Sequence, residues 1–327
     1  MPRMREILEG DAVGSVAMIY NEIRDYYRAP YVSSLFRHLA TYPGLLEWMW
    51  KLLGPHLKSG RIQVTGWSQV DISKLEPIKG LTERDLINLG INYEQVTVIK
   101  NVCETFVRVS PINLVVSGCL QKLMTQKKLV QKSEKIAQPF NLPEPLLEMP
   151  SMLSWAELSY EQKNLLNCFE TVLAGERFVP GIYLILARWP TFLGYVAEQL
   201  GPKLKNEKVL RRCEIIADKI FDSSEEIMEH IETSNHVLPV DSSQKKNILS
   251  AISTYRQTSP QIRYWHQIDI DLAPAQPRWL QPFPKHYHWL LAHHSRRPMD
   301  LTPLSQCHQT SPRTGPLAHA PAKSRSR

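Results

Sequence analysis

The 327-residue sequence predicts an all-α fold: two tandem helical repeats forming a pseudo-dimer, followed by a disordered C-terminal tail. Three observations carry this expectation. Residues 35–58 align without a gap on residues 182–205. Apolar residues recur at three- and four-residue spacing through both halves, and no strand-like alternation of useful length competes. After about residue 271 the periodicity ceases, and Pro, His, Arg, Ser and Gln dominate.

The ungapped alignment contains nine identities, among them Leu39 with Leu186, Ala40 with Ala187, Pro43 with Pro190, and Leu53-Gly54-Pro55 with Leu200-Gly201-Pro202. A second anchor follows at a conserved interval, where Phe106-x3-Ser110-Pro111 answers Tyr255-x3-Ser259-Pro260. The expected organisation is therefore a first copy over 1–125, a linker over 126–158, a second copy over 159–270 and a basic Pro/His-rich tail over 271–327. The linker is marked by basic residues followed by Pro139, Pro143, Pro145 and Pro150.

Within the copies, Val96, Ile99, Val102, Cys103, Phe106 and Val109 trace one helical stripe. Val209, Cys213, Ile216, Ala217, Ile220, Ile227, Met228 and Ile231 trace another. Pro43, Pro190, Pro111 and Pro260 suit the first turn of a helix, where a missing N–H costs nothing, with Ser110 and Ser259 as N-caps. The repeated Leu-Gly-Pro is expected to kink or end a helix. Tyr42, Trp48, Trp50 and Trp189 read as core aromatics.

Composition narrows the function classes. Of the net charge of +7, residues 271–327 carry +6, which leaves the body at +1. A near-neutral body offers no electrostatic footprint for nucleic acid, so polyanion affinity is expected only of the tail. Five widely spaced cysteines (Cys103, Cys119, Cys168, Cys213, Cys307) form no C-x-x-C pair and read as small hydrophobes of a reducing cytosol. No leader-like apolar segment opens the chain and no run of 18 apolar residues occurs, so a cytoplasmic protein without membrane partners is expected.

Few motifs point to chemistry. Ser34 and His38 lie one helical turn apart, where a hydroxyl and an imidazole can meet, but no acidic residue at matching spacing would orient the ring. His38 then reads as a core or rim histidine. His286, His288, His293, His294, Cys307 and His308 supply metal-ligand types in the tail, at a spacing matching no structural zinc pattern. No metal and no cofactor are expected.

The segments Ile19-Tyr20-Asn21-Glu22-Ile23-Arg24, Pro30-Tyr31-Val32 and Leu39-Ala40-Thr41-Tyr42-Pro43-Gly44 resemble the N-terminal copy of the group I 2-haloacid dehalogenases. Ala187-Arg188-Trp189-Pro190 and Ser110-Pro111-Ile112-Asn113 extend the resemblance over roughly residues 15–265, the duplication included. It implies an all-helical pseudo-dimer related to the alkyl hydroperoxidase D-like folds, with a pocket between the copies. It further implies an aspartate-activated water that displaces halide from a 2-halocarboxylate directly, without an ester intermediate or cofactor.

Carried over residue by residue, the family's aspartate position falls on Ile182 and the serine before it on Gly181. The water-holding asparagine falls on Ser110, the tyrosine three residues on falls on Asn113, and the pocket tryptophan and phenylalanine fall on Tyr31 and Ser34. None of the six residue types is kept, and the nearest acid upstream of Ile182 is Glu176. The expectation is a divergent haloacid dehalogenase-like protein that has lost the family's hydrolysis. Its pocket candidates are Tyr31, Ser34, Ser110, Asn113, Gly181 and Ile182, and its ligand is a small organic acid or other small molecule. Two alternatives stand beside it: a non-catalytic binding or interaction protein on the same scaffold, and a different small-molecule enzyme with His38 or Glu176 as its base. A homodimer is compatible with either.

Overall fold

In the computed structural model, the residues described are 5–71, 73, 75, 78–125, 141–173, 176–231 and 237–258. The chain separates into a body, Met1–Pro274, and a second unit, Ala275–Arg327. The second unit, with the tail and its histidines and Cys307, lies outside the described residues, as do Ser259 and Pro260. The body is mostly helical. Its helices are α1 (Gly14–Tyr27), α2 (Ser34–Leu39), α3 (Leu45–Lys58), α4 (Arg61–Ser68), α5 (Glu83–Asn88), α6 (Tyr93–Thr125), α7 (Tyr160–Leu166), α8 (Gly181–Leu186), α9 (Pro190–Leu204), α10 (Glu207–Asp222), α11 (Ser224–Met228) and α12 (Ser242–Thr258). A short antiparallel hairpin, β1 (Thr171–Leu173) with β2 (Glu176–Phe178), departs from the purely helical expectation.

α6 is the axis of the body. It runs for 33 residues and packs against α4, α8, α10, α11 and α12. The stripe read from the sequence, Val96 to Val109, is buried throughout, as is the stripe of α10 and α11 from Val209 to Met228, with Ile231 just beyond α11. Two glycines permit the closest crossings. A Cβ on Gly66 would come within 2.9 Å of the Pro111 carbonyl oxygen, and one on Gly118 would sit 2.5 Å from Ser224 Oγ. Lys122 Nζ donates to that same Ser224 Oγ at 2.8 Å, tying α6 to α11 beside the Gly118 crossing.

The Ser110-Pro111 expectation is corrected. Ser110 caps no helix, because Pro111 lies inside α6. Proline in a helix interior costs about 3 kcal/mol or more through its lost hydrogen bond and ring clash, and the helices packed along α6 offset that locally. Pro190 does occupy the first turn of α9, as expected, whereas Pro43 sits in the turn before α3. Leu-Gly-Pro does not stop its helices at once: α3 runs three residues beyond Pro55, and α9 two beyond Pro202. Of the aromatics assigned to the core, Trp50 is buried, while Tyr42, Trp48 and Trp189 are half-buried. Cys103, Cys119 and Cys213 are buried and Cys168 is half-buried, and none of these four forms a disulfide.

The two aligned segments adopt the same order of elements. α2 and α8 are six residues each, and each is followed by a turn and then a helix of 14 or 15 residues, α3 or α9. The segment 141–158 is fastened to the helices around it at several points. Asn101, on α6, donates from Nδ2 to the Leu147 carbonyl at 2.8 Å and accepts from the Leu147 amide at 3.0 Å. The buried Arg108 donates to the Glu144 carbonyl at 2.7 Å, and Arg28 donates to the Pro143 carbonyl at 3.0 Å. Among the described residues no helix is long and apolar enough to cross a membrane.

Candidate functional site

Phe106, Ser110 and Asn113 stand on one face of α6, separated by four and three residues, so the helix presents them in a row. At one end of the row the fully buried Asn113 is gripped from both halves of the chain. Its Oδ1 accepts from the Tyr27 hydroxyl of α1 at 3.1 Å, and its Nδ2 donates to the Tyr255 hydroxyl of α12 at 2.9 Å. At the other end the Phe106 ring packs on Tyr31 with centroids 5.3 Å apart. Phe106 Cζ also lies 3.8 Å from where a Cβ on Gly181 would be. Between them Ser110 Oγ is buried and has no hydrogen-bond partner among the described residues.

The electrostatics make this cluster a set of neutral donors. Loss of solvent pushes the hydroxyls of Tyr27 and Tyr31 well above the ordinary phenol value, and burial pushes Tyr255 up to about 12. Tyr255 raises both of the other phenols further, since two phenolates so close would repel. The hydrogen bonds from Asn113 and Ser33, and the charge of Arg37, act in the opposite direction on Tyr255. All three phenols therefore keep their protons at neutral pH and can donate.

The carboxylates that influence these phenols, Glu6 and Glu9, come from the N-terminal segment and are engaged. Glu6 pairs with Arg37 at 3.0 Å. Glu9 pairs with Arg24 and accepts from the Val32 amide at 2.8 Å. Arg37 also donates from Nη2 to Ser34 Oγ at 3.1 Å.

The Ser34–His38 pairing allowed by their spacing does not form. Ser34 accepts from Arg37, and His38 Nδ1 lies 2.9 Å from the Arg5 carbonyl, which fixes that nitrogen as the donor. The His38 ring is buried and stands edge-on to Tyr42. Gly181 and Ile182 open α8, and Ile182 is fully buried. Glu176 opens β2, and its side chain lies outside the described residues. The structure thus gathers Tyr31 and Gly181 about Phe106, with Ser110 and Asn113 farther along the same face of α6, while Ser34 is bonded to Arg37, whose charge acts on Tyr31 and Tyr255. Among the described residues no group of histidines, cysteines and carboxylates is placed to hold a metal.

Sequence reasoning missed Tyr27, Tyr255, Arg37 and Met152. Tyr255 carried a usable signal, since it answers Phe106 in the repeat alignment; the other three carried none. Met152, in the segment 141–158, reaches Gly181 so closely that a Cβ there would lie 2.6 Å from its Cε. A separate groove of about 310 Å³ opens between the first half of α6 and Pro145–Leu147, and none of the six pocket candidates lines it.

No family model and no curated protein matches this sequence. Solved structures do. A D-2-haloacid dehalogenase mutant in complex with D-2-CPA superposes with a TM-score of 0.66 at 15% identity, over 81% of this chain and 96% of that one. A D-2-haloacid dehalogenase in complex with L-LA gives a TM-score of 0.64 at 15% identity over the same shares. The body therefore has the fold of the D-2-haloacid dehalogenases, as the sequence resemblance implied.

Proposed function

We propose that this chain uses the haloacid dehalogenase scaffold to bind a small carboxylic acid without hydrolysing it. The observation that carries the proposal is Ile182, a fully buried hydrocarbon at the position the resemblance assigns to the water-activating aspartate. Neutral water is a poor nucleophile toward an sp³ carbon, and a positioned general base contributes about 10²- to 10⁴-fold. The cluster around α6 supplies hydroxyls and an amide, none of them a base at neutral pH. The neutral Tyr31 phenol and the buried Ser110 hydroxyl, which has no hydrogen-bond partner among the described residues, suit a carboxylate, whose oxygens only accept.

The same reading takes the segments α2–α3 and α8–α9 as corresponding parts of two diverged copies related by a pseudo-twofold axis. Their nine identities and shared element order support it. The copies span 1–125 and 159–270, and the pocket lies where both contribute.

Saturation-transfer NMR with propionate and 2-chloropropionate tests the function. Both are expected to bind the full chain with dissociation constants that rise several-fold in Ser110→Ala, with no halide released from the chlorinated acid. Absence of saturation transfer to either acid would refute the binding function.

A further inference from the structure

The groove of about 310 Å³ beside α6 has one wall whose direction is fixed by hydrogen bonds. Arg108 holds the Glu144 carbonyl, and Asn101, about two turns earlier on the helix, holds both the amide and the carbonyl of Leu147. The segment therefore runs antiparallel to α6. The Leu146 amide donates in turn to the Arg28 carbonyl at 3.0 Å. With these backbone groups engaged, the wall meets the groove with the side chains of Pro145, Leu146 and Leu147. On the facing wall α6 contributes Val96 and, one turn before it, Tyr93. Tyr93 is 75% exposed and Leu147 65%, so each wall leaves one large side chain open to solvent at the same groove. Among the described residues two charged side chains line it, Lys100 and Glu104. Glu104 is matched, accepting from the buried Arg108 at 3.0 Å. Lys100 is half-buried, and no ion pair or hydrogen bond joins its side chain to a described residue.

We infer that this groove is a binding site for an aromatic carboxylate, with the carboxylate on Lys100 and the ring between Tyr93 and Leu147. The volume stands at the lower end of the range for small-molecule pockets, about 300–1,000 Å³, which suits a compact ring system. An ammonium only donates and a carboxylate oxygen only accepts, so the unmatched Lys100 selects an anion. Glu104, one turn farther along α6, repels the anion from the Pro145 end and so orients the ring toward Val96 and Tyr93. There the Tyr93 ring offers a flat face for offset stacking, and Leu147 closes the other side. The fastening of residues 144–147 builds the wall in advance, so little ordering opposes binding. None of Tyr31, Ser110 and Asn113 lines the groove, and the inference does not rest on the carboxylate-binding proposal above.

Calorimetric titration of the full chain with 1-naphthoate, its neutral amide 1-naphthamide and the cation 1-naphthylmethylammonium tests the assignment. The unmodified chain should bind naphthoate about fivefold more tightly than the amide, as a half-exposed charge pair allows, and the cation most weakly. Lys100→Gln should abolish the preference for the anion, and Lys100→Arg should keep it. Leu147→Ser, which leaves the Asn101 bonds to the backbone in place, should weaken naphthoate and naphthamide alike. Lys208→Gln, at an exposed lysine of α10, controls for loss of surface charge and should change neither affinity. No binding of naphthoate, an anion preference that survives Lys100→Gln, an equal loss in Lys208→Gln, or affinities untouched by Leu147→Ser each overturns the site. Should Leu147→Ser fail to fold, Tyr93→Ser makes the same comparison from the facing wall. Propionate binding is read separately through Ser110→Ala, so either reading can fail while the other stands.

Discussion

Asn113 and Tyr255, 142 residues apart in the chain, are joined by a 2.9 Å hydrogen bond from the amide Nδ2 to the phenol oxygen, and the other end of the same amide holds Tyr27. One buried side chain of α6 therefore links α1 to α12, from opposite ends of the described chain. Asn113→Ala strands the buried Tyr27 hydroxyl and takes one partner from the half-buried Tyr255. The expected loss is about 1–3 kcal/mol in urea unfolding, the cost of a buried polar group left unpaired. Tyr27→Phe and Tyr255→Phe should each cost less, because each leaves one end of the amide paired.

The crossing of α6 with the start of α11 should be intolerant of any added atom. A Cβ on Gly118 would meet Ser224 Oγ at 2.5 Å and the Phe221 carbonyl oxygen closer still. Overpacking of this kind costs about 1–3 kcal/mol, so Gly118→Ala should lower the thermal midpoint by several degrees. Gly10→Ala, with open space around the added methyl, is the control and should leave the midpoint nearly unchanged.

Much of this packing was legible in the sequence, because burial along a helix imposes a period that apolar residues record directly. Every position of the Val96–Val109 stripe is buried. Ser110-Pro111 was misread for the opposite reason. A capping dipeptide is a local signal, and here the long-range packing of Gly66 against Pro111 and of several helices along α6 outweighs it. The candidate site was half legible. Tyr31, Ser110 and Asn113 enter the candidate site through resemblance, whereas Tyr27 and Tyr255 reach Asn113 only through contacts 86 and 142 residues long, which no local pattern encodes. Met152 was hidden more deeply, in a proline-rich segment whose composition gives no sign that it is fastened to the body.

Acid should weaken the fold through His56. Burial, followed by the charges of Arg61 and His230, lowers its pKa from 6.5 to about 4. Because the folded state binds its proton less readily than the unfolded chain does, the stability is complete above about pH 6.5. It is lost progressively as pH falls toward 4. At about 1.4 kcal/mol per unit, the loss approaches about 3 kcal/mol. Urea unfolding between pH 7 and pH 4 should show this slope in the unmodified chain, and His56→Gln should flatten it.

Fastening of the segment 141–158 predicts a protease phenotype. Asn101→Ala removes the reciprocal hydrogen bonds to the Leu147 amide and carbonyl. Limited proteolysis should then cut within residues 141–150 at least several-fold faster than in the unmodified chain. Asn101→Asp, which keeps the acceptor for the Leu147 amide but loses the donor, should fall between them.

Halide release from the two enantiomers of 2-chloropropionate tests the central claim most directly, because that claim rests on Ile182 standing where direct displacement needs a carboxylate. The purified full chain is expected to release no more halide from either hand than a boiled control. Ile182→Asp combined with Ser110→Asn, which restores both water-holding groups, is the informative gain-of-function companion. Turnover of one enantiomer by the unmodified chain, persisting in His38→Ala, would contradict the account, because it would require a base that the pocket as described does not contain.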